Sequence, residues 1–97
     1  MIDEVGPGSL KCVTASSPHR PLRDIVERAL IEHVGADGVR HVFGDVFLVH
    51  TDADTAALRD RLAERLEDGE SAFVVEFEAW SGYGPAVDRR WLLRRGH

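Results

Sequence analysis

The sequence predicts a small α/β sandwich in which helices cover one face of an antiparallel sheet. Three observations support this prediction. Residues 39–51 hold two β-rich runs that are joined by a Gly-Asp pair, which is the signal of a two-residue hairpin. Residues 22–34 and 54–66 each repeat apolar side chains at helical spacing. A further β-rich run, residues 71–80, follows the second helical segment.

The first half of the chain is expected to form a strand and a helix. Residues 1–8 carry a Gly-Pro-Gly breaker and are interpreted as a loose leader, so the single domain spans residues 9–97. Residues 10–15 favour a strand, and Pro21 suits a first helical turn. The following helix ends at Gly35 and has one apolar stripe, made of Leu22, Ile25, Val26, Ala29, Leu30 and Val34.

The hairpin is expected to pair residues 39–43 with residues 46–51 across the Gly44-Asp45 turn. The simplest register places Phe43 opposite Val46, and it also places His41 opposite Leu48 and Val39 opposite His50. The alternative is one long strand with a bulge at Gly44. In either case both faces of these strands carry many apolar side chains, which predicts a sheet covered on both sides.

The second half is expected to add a helix, a strand and a last short helix. Asp52 or Asp54 caps the first of these helices, and its stripe consists of Leu58, Leu62 and Leu66. Residues 71–80 form the strand, and residues 86–95 form a helix that docks through Val87 and Trp91.

The element order is therefore β-α-β-β-α-β-α, which is the ferredoxin-like arrangement of two βαβ halves joined by a hairpin. Its helices cover one face of the sheet. Because the second face is also apolar, we expect another copy of the chain to cover it, and hence a homodimer.

Composition narrows the classes of function. The chain has 97 residues and a net charge of −5, which disfavours general binding to a phosphate backbone. Cys12 is the only cysteine, so we expect a reducing, cytoplasmic compartment. No run reaches 18 apolar residues, and the first ten residues lack the features of a signal peptide, so we expect no membrane association. No cofactor motif is present, and no cofactor is expected.

The segments VFLVHTDAD, LRDRLAERL, DGESAFVVEF and WSGYG, within residues 39–84, resemble small proteins of the CRISPR-associated Cas2 superfamily, including its SinR-like branch. The resemblance implies a homodimer packed through its sheets and work related to nucleic acid. In that family a metal-binding aspartate ends the first strand. Here the corresponding residues are Val13-Thr14-Ala15-Ser16-Ser17, with no acid, so the expectation leans away from an enzyme.

The histidines and aspartates offer candidates for chemistry. In the expected register His41 and His50 are diagonal neighbours, so they are the candidate metal pair, with Asp52 or His33 as a third ligand. The alternative is that His41 occupies an ordinary sheet position and His50 ends a strand. Asp45 and Asp52 are the substitutes that a metal-dependent phosphodiesterase would require. The alternative is a turn residue and a helix cap.

Aromatic and basic residues concentrate near the C-terminus. The candidate interface residues are Trp80, Tyr83, Trp91, Arg89, Arg90, Arg94 and Arg95. This combination can stack bases and hold phosphates, anchor a protein interface, or dock the last helix on its own domain.

The function predicted from the sequence is a non-enzymatic, dimeric interaction module that binds nucleic acid or a protein partner through this segment. The alternatives are a metal-dependent phosphodiesterase of the same superfamily and a small-ligand sensor.

Overall fold

The computed structural model describes residues 8–97. It is an α+β sandwich with a four-stranded antiparallel sheet, which confirms the predicted fold class. The predicted leader lies outside the described residues except for Gly8. The elements are β1 (Ser9–Ser16), α1 (Arg23–Val34), a 3₁₀ turn (Ala36–Gly38), β2 (Val39–Phe43), β3 (Val46–Thr51), α2 (Thr55–Ala63), β4 (Ser71–Phe77) and α3 (Arg89–Arg94).

The strands lie in the order β2-β3-β1-β4, and every neighbouring pair is antiparallel. This is the order expected of a ferredoxin-like sandwich, in which the first and third strands are central. The hairpin prediction is confirmed, since Gly44 and Asp45 form the turn between β2 and β3. Gly44 has a φ of 51°, a conformation that glycine adopts without a steric cost.

The expected register within the hairpin is wrong beyond its first pair. Phe43 lies opposite Val46 as expected, but His41 lies opposite Phe47 and Val39 lies opposite Val49. The register shifts between His41 and Phe43, so β2 contributes one extra residue and forms a bulge. The bulge brings Val39 onto the same face as Phe47 and Val49, where all three are buried in one core.

The main core lies between the sheet and the helices α1 and α2. Its buried members are Val13, Ala15, Leu22, Val26, Ala29, Leu30, Val39, Phe47, Val49, Leu58 and Leu62. The predicted stripe of α1 supplies four of them, and Gly35 ends that helix with its backbone N–H donating to the carbonyl of Ile31. Asp54 caps α2, because its Oδ1 accepts from the backbone N–H of Ala57 at 2.7 Å.

The last helix packs on the opposite face of the sheet and is shorter than expected. It begins at Arg89 rather than residue 86, because the Asp88 side chain caps it by accepting from the backbone N–H of Trp91 at 3.0 Å. The expected docking through Val87 and Trp91 is confirmed, since both belong to a second apolar cluster around Leu10 and Leu92.

The longest helix in residues 8–97 has 12 residues, and no helix there combines the length and apolarity that a membrane crossing requires.

Candidate functional site

The sheet face that α1 and α2 do not cover, called the open face below, consists of three rows of side chains that run across the strands. Strand pairing gives their composition directly. The first row is Phe43, Val46, Thr14 and Phe73; the second is Arg40, Leu48, Cys12 and Val75; the third is His50, Leu10 and Phe77. The alternation of strand side chains places these residues on one face, opposite the main core.

Helix α3 covers only part of the open face. It lies over the third row, where Leu10, Trp91 and Leu92 are buried together and Phe77 and Trp80 pack against them. The first row stays uncovered, and the two aromatic side chains at its ends are more than half exposed. The second apolar face that the sequence predicts is therefore split into a covered and an uncovered part.

Trp91 holds α3 to the sheet. Its side chain is fully buried, and its indole N–H donates to the backbone carbonyl of Asp37 at 2.9 Å. The guanidinium groups of Arg95 and Arg40 lie 4.9 Å and 5.9 Å from the ring centroid. Among the three interpretations of the aromatic residues, docking of the last helix is the one that describes Trp91. A base cannot stack on its buried ring.

The other aromatic and basic candidates occupy different environments. Trp80 is half-buried against the α3 cluster, whereas Tyr83 is 96% exposed. Arg89 donates from Nη2 to the carbonyl of Gly82 at 3.1 Å and so ties α3 to the segment that precedes it. Arg90 and Arg94 are exposed on α3, beside the exposed Leu93.

An apolar groove of about 390 Å³ opens between the uncovered sheet and the segment before α3. Cys12 and Val46 belong to its floor, and Trp80 and Tyr83 belong to its wall. No charged residue lines the groove among the described residues, and burial raises the pKa of the Cys12 thiol, which favours its neutral form. The wall is close-packed at Gly82, where a Cβ would lie 2.8 Å from Val87.

The bulge in β2 separates the candidate metal pair. His41 lies on the helix side of the sheet, opposite Phe47, whereas His50 lies on the open face beside Leu10. The expected diagonal relation is therefore wrong, because it assumed a hairpin without the extra residue. His41 Nε2 donates to the carbonyl of Gly44 at 2.8 Å, and His50 Nδ1 shares a hydrogen bond with His97 Nε2 at 2.9 Å.

The aspartates proposed for metal-dependent chemistry do not converge. Asp45 lies in the hairpin turn, and Asp52 is exposed just before α2. The whole of β3 lies between them, so they are about 20 Å apart at the usual rise of a strand.

The hydrogen-bonded pair of His50 and His97 contains one ring with a shifted pKa. Burial, followed by the charge of His50, lowers the pKa of His97, which favours the neutral form of the His97 ring.

A cluster that no sequence pattern indicates joins the β1–α1 loop to the loop before β4. The side chains of His19, Glu67 and Glu70 come close enough together to offer three ligand atoms to a metal ion. His19 Nε2 lies 3.1 Å from Glu67 and 3.4 Å from Glu70. Because about 50 residues separate the two loops, no local spacing could have predicted this group.

The guanidinium group of Arg20 supplies the positive charge of this cluster, at the place where a metal ion would otherwise bind Glu70. Its Nε and Nη2 donate to the two carboxylate oxygens of Glu70 at 2.5 Å and 2.7 Å. Glu70 also accepts from Ser17 Oγ and from the backbone N–H of Glu67, and its side chain has no exposed surface. The Arg20 hydrogen bonds chiefly lower the pKa of Glu70, to about 2. A metal ion would have to displace Arg20 in order to bind Glu70. We therefore interpret the cluster as an ion-pair network that connects the β1–α1 loop to the loop before β4.

Lys11, the only lysine of the chain, is buried in β1 on the helix side. Its Nζ donates to Ser9 Oγ at 2.8 Å and to the carbonyl of Thr51 at 2.7 Å, and it lies 3.5 Å from Glu76. The ammonium group thus uses two of its three donors in hydrogen bonds, and Glu76 lies within ion-pair distance of it. The amine is thus engaged in holding strand ends together, and a nucleophilic role would require breaking this arrangement.

Comparison of the chain with protein-family models, with curated proteins and with solved structures finds no significant match.

Proposed function

We propose that this chain is a non-enzymatic interaction module that works as a homodimer. The observation that carries the proposal is the exposure of two neighbouring apolar side chains on β4, Phe73 at 65% and Val75 at 40%. Large apolar groups that stand together on a small domain commonly mark a contact with another protein. Most soluble assemblies are symmetric homo-oligomers, so a second copy of the chain is the first partner to consider.

The chemistry of the remaining residues supports a role without catalysis. The candidate aspartates lie at opposite ends of β3, and Glu70, the carboxylate at the centre of the ionisable cluster, is paired with Arg20. The end of β1 carries Ser16, where the resembled family has its metal-binding aspartate. No group of residues described here combines a nucleophile, a base and an open position for a substrate.

The exposed surface next to α3 is the proposed contact for a further protein partner. Tyr83 and Leu93 offer apolar area, and Arg90 and Arg94 carry positive charge on the same short helix. Tyrosine and arginine are typical of protein interfaces. With Trp91 buried, stacking of nucleic-acid bases loses one of its three aromatic groups, and the net charge of −5 favours a protein over a phosphate backbone.

The experiment that tests the dimer is the solution mass by light scattering at micromolar concentration. We expect twice the mass of one chain, and we expect Phe73→Asp to weaken the dimer by about 10- to 100-fold, because an apolar ring leaves the interface. Ile31→Asp is the matched control, since Ile31 is a partly exposed apolar residue on α1. A monomer at these concentrations contradicts the proposal.

A second arm of the same measurement adds a short duplex DNA. We expect the mass to stay unchanged. An increase in mass that falls steeply with added salt would show nucleic-acid binding and would contradict the assignment of the α3 surface to a protein partner.

The groove supports a second candidate function, the binding of a small uncharged ligand. Its volume of 390 Å³ lies within the range of ligand sites, and its lining is apolar and aromatic with a few polar atoms. A neutral aromatic compound fits a lining that carries no charge.

Indole serves as a probe of this candidate. At a concentration about ten times its Kd, a ligand adds about 1.4 kcal/mol of stability, which raises the midpoint of thermal unfolding by several degrees. Val46→Trp fills the groove and should abolish the increase. An unchanged midpoint in the wild type, or an equal increase in the variant, would exclude the groove as the binding site.

A further inference from the structure

Strand β4 is an edge of the sheet with little of the usual protection of an edge. In the described part of the chain it pairs only with β1, so the outward N–H and C=O groups of Ser71–Phe77 have no neighbouring strand. Natural edge strands avoid pairing with other chains by means of prolines, lysines, bulges or inward-pointing charges. The sequence of β4, SAFVVEF, contains none of the first three, and its single charged residue, Glu76, lies on the helix side, where it pairs with Lys11.

The opposite edge is a useful contrast within the same sheet. Strand β2 is shorter, has a bulge between His41 and Phe43, and presents Arg40 on the open face. These features discourage pairing with another strand. The two edges of this sheet are therefore unequal, and β4 is the one suited to accept a strand.

We infer that a second copy of the chain adds its own β4 antiparallel to this edge, which joins the two sheets into one of eight strands. This inference rests on the dimer proposed above and specifies its geometry. A two-fold axis perpendicular to the sheet relates two antiparallel copies of one strand, and it keeps both open faces on the same side. The register that overlaps all seven residues places the axis at Val74, the central residue of β4.

That register gives each exposed side chain a suitable neighbour. Phe73 of one copy lies opposite Val75 of the other, on the open face, and this pairing occurs twice because of the symmetry. Aromatic and β-branched side chains form favourable cross-strand pairs. The two residues that the monomer leaves exposed, at 65% and 40%, thus cover each other.

The helix side of the same edge supplies charge complementarity. A groove of about 170 Å³ lies between α2 and β4, and Ala72 and Arg59 line it. In the Val74 register Ala72 lies opposite Glu76 of the second copy. The half-exposed carboxylate of Glu76, which lies 3.5 Å from Lys11 of its own copy, then also faces the groove beside Arg59. The Arg59 side chain is 63% exposed, with only its neighbour Asp60 as an ion-pair partner in the described chain, and so remains accessible to that carboxylate.

Disulfide trapping tests the register. Cys12 is first replaced by alanine, and Val74→Cys and Val75→Cys are then made separately in that background. In the inferred geometry the two copies of residue 74 face each other with Cα atoms about 4.5–5.5 Å apart, within the range of a disulfide. The two copies of residue 75 are offset from each other by two positions along the strands, so their Cα atoms exceed that range. We expect mild oxidation to cross-link the first variant and not the second.

Charge reversal tests the same edge without engineered cysteines. Arg59→Glu places like charges together and should weaken the dimer by about 3- to 10-fold. Arg61→Glu is the matched control, because Arg61 is an exposed arginine of the same helix but does not line the edge groove. Both substitutions are at exposed positions, so the fold is expected to tolerate them.

The outcomes separate this inference from the proposed function. A monomeric mass contradicts both. A dimeric mass with no cross-link through residue 74, with a cross-link through residue 75 instead, or with equal effects of the two arginine reversals keeps the dimer and overturns the pairing inferred here.

Discussion

Replacement of Trp91 by alanine lowers the free energy of unfolding by about 3–5 kcal/mol, the range for truncating a large buried aromatic side chain. The indole is fully buried between α3 and the sheet, and it touches the cluster that contains Leu10 and Leu92. Alanine leaves a cavity there and also removes the donor that satisfies the Asp37 carbonyl. Urea unfolding followed by far-ultraviolet circular dichroism measures the effect without using Trp91 as the reporter.

Two further variants divide this effect into its parts. Trp91→Phe keeps most of the apolar area and removes the indole N–H, so it should cost about 1–3 kcal/mol, mainly because a polar group loses its partner. Leu93→Ala, at an exposed position of the same helix, should change stability by no more than about 0.5 kcal/mol. A Trp91→Ala protein as stable as the wild type would show that α3 does not dock as described.

The role of Trp91 also shows what sequence reasoning could not decide. The pattern of Val87 and Trp91 at i and i+4 predicts a docked helix, and the docking is observed. The same tryptophan, beside several arginines, is also compatible with a protein interface or, less readily, with stacking on bases. Only the packing against a distant strand, β1, distinguishes these alternatives, and no local sequence feature encodes that contact.

The register of the hairpin is a second feature that the sequence could not decide. The Gly-Asp turn and both strand ranges could be predicted, because turn chemistry and β-propensity are local. The bulge at Val42 could not, since no glycine or other local signal marks it. A single extra residue moves His41 to the other face of the sheet, so the candidate metal pair depended on the register of the hairpin. That register is the one that buries Val39, Phe47 and Val49 in one core.

The ion pair between Arg20 and Glu70 is the feature that the sequence was least able to predict, because its two loops are about 50 residues apart. A substitution of Glu70 is expected to have the second large effect on stability. Glu70→Gln should lower the midpoint of thermal unfolding at neutral pH by several degrees. The change keeps the shape of the side chain but removes the charge that two donors of Arg20 bind. Arg20 then loses its main partner, and the two loops that the pair connects become less firmly held together.

The effect of this substitution should depend on pH in a defined direction. The pKa of Glu70 falls from its ordinary 4.5 to about 2 on folding, mainly through the Arg20 hydrogen bonds. Between these values the unfolded chain binds more protons than the folded chain, so the wild type loses stability as pH falls through this window. A glutamine cannot titrate, so the difference between wild type and variant should be full above about pH 4.5 and shrink towards pH 2.

Thermal unfolding measured from pH 2 to pH 7 tests this dependence, with Asp68→Asn as a control that removes an exposed carboxylate from the same loop. The control should follow the wild-type curve, whereas Glu70→Gln should approach that curve only at the acid end. A Glu70→Gln curve that runs parallel to the wild type across the whole range would mean that Arg20 does not hold the Glu70 carboxylate in its charged form. In that case the connection between the two loops would depend on apolar contacts, chiefly those of Leu66 and Ala72 with the main core.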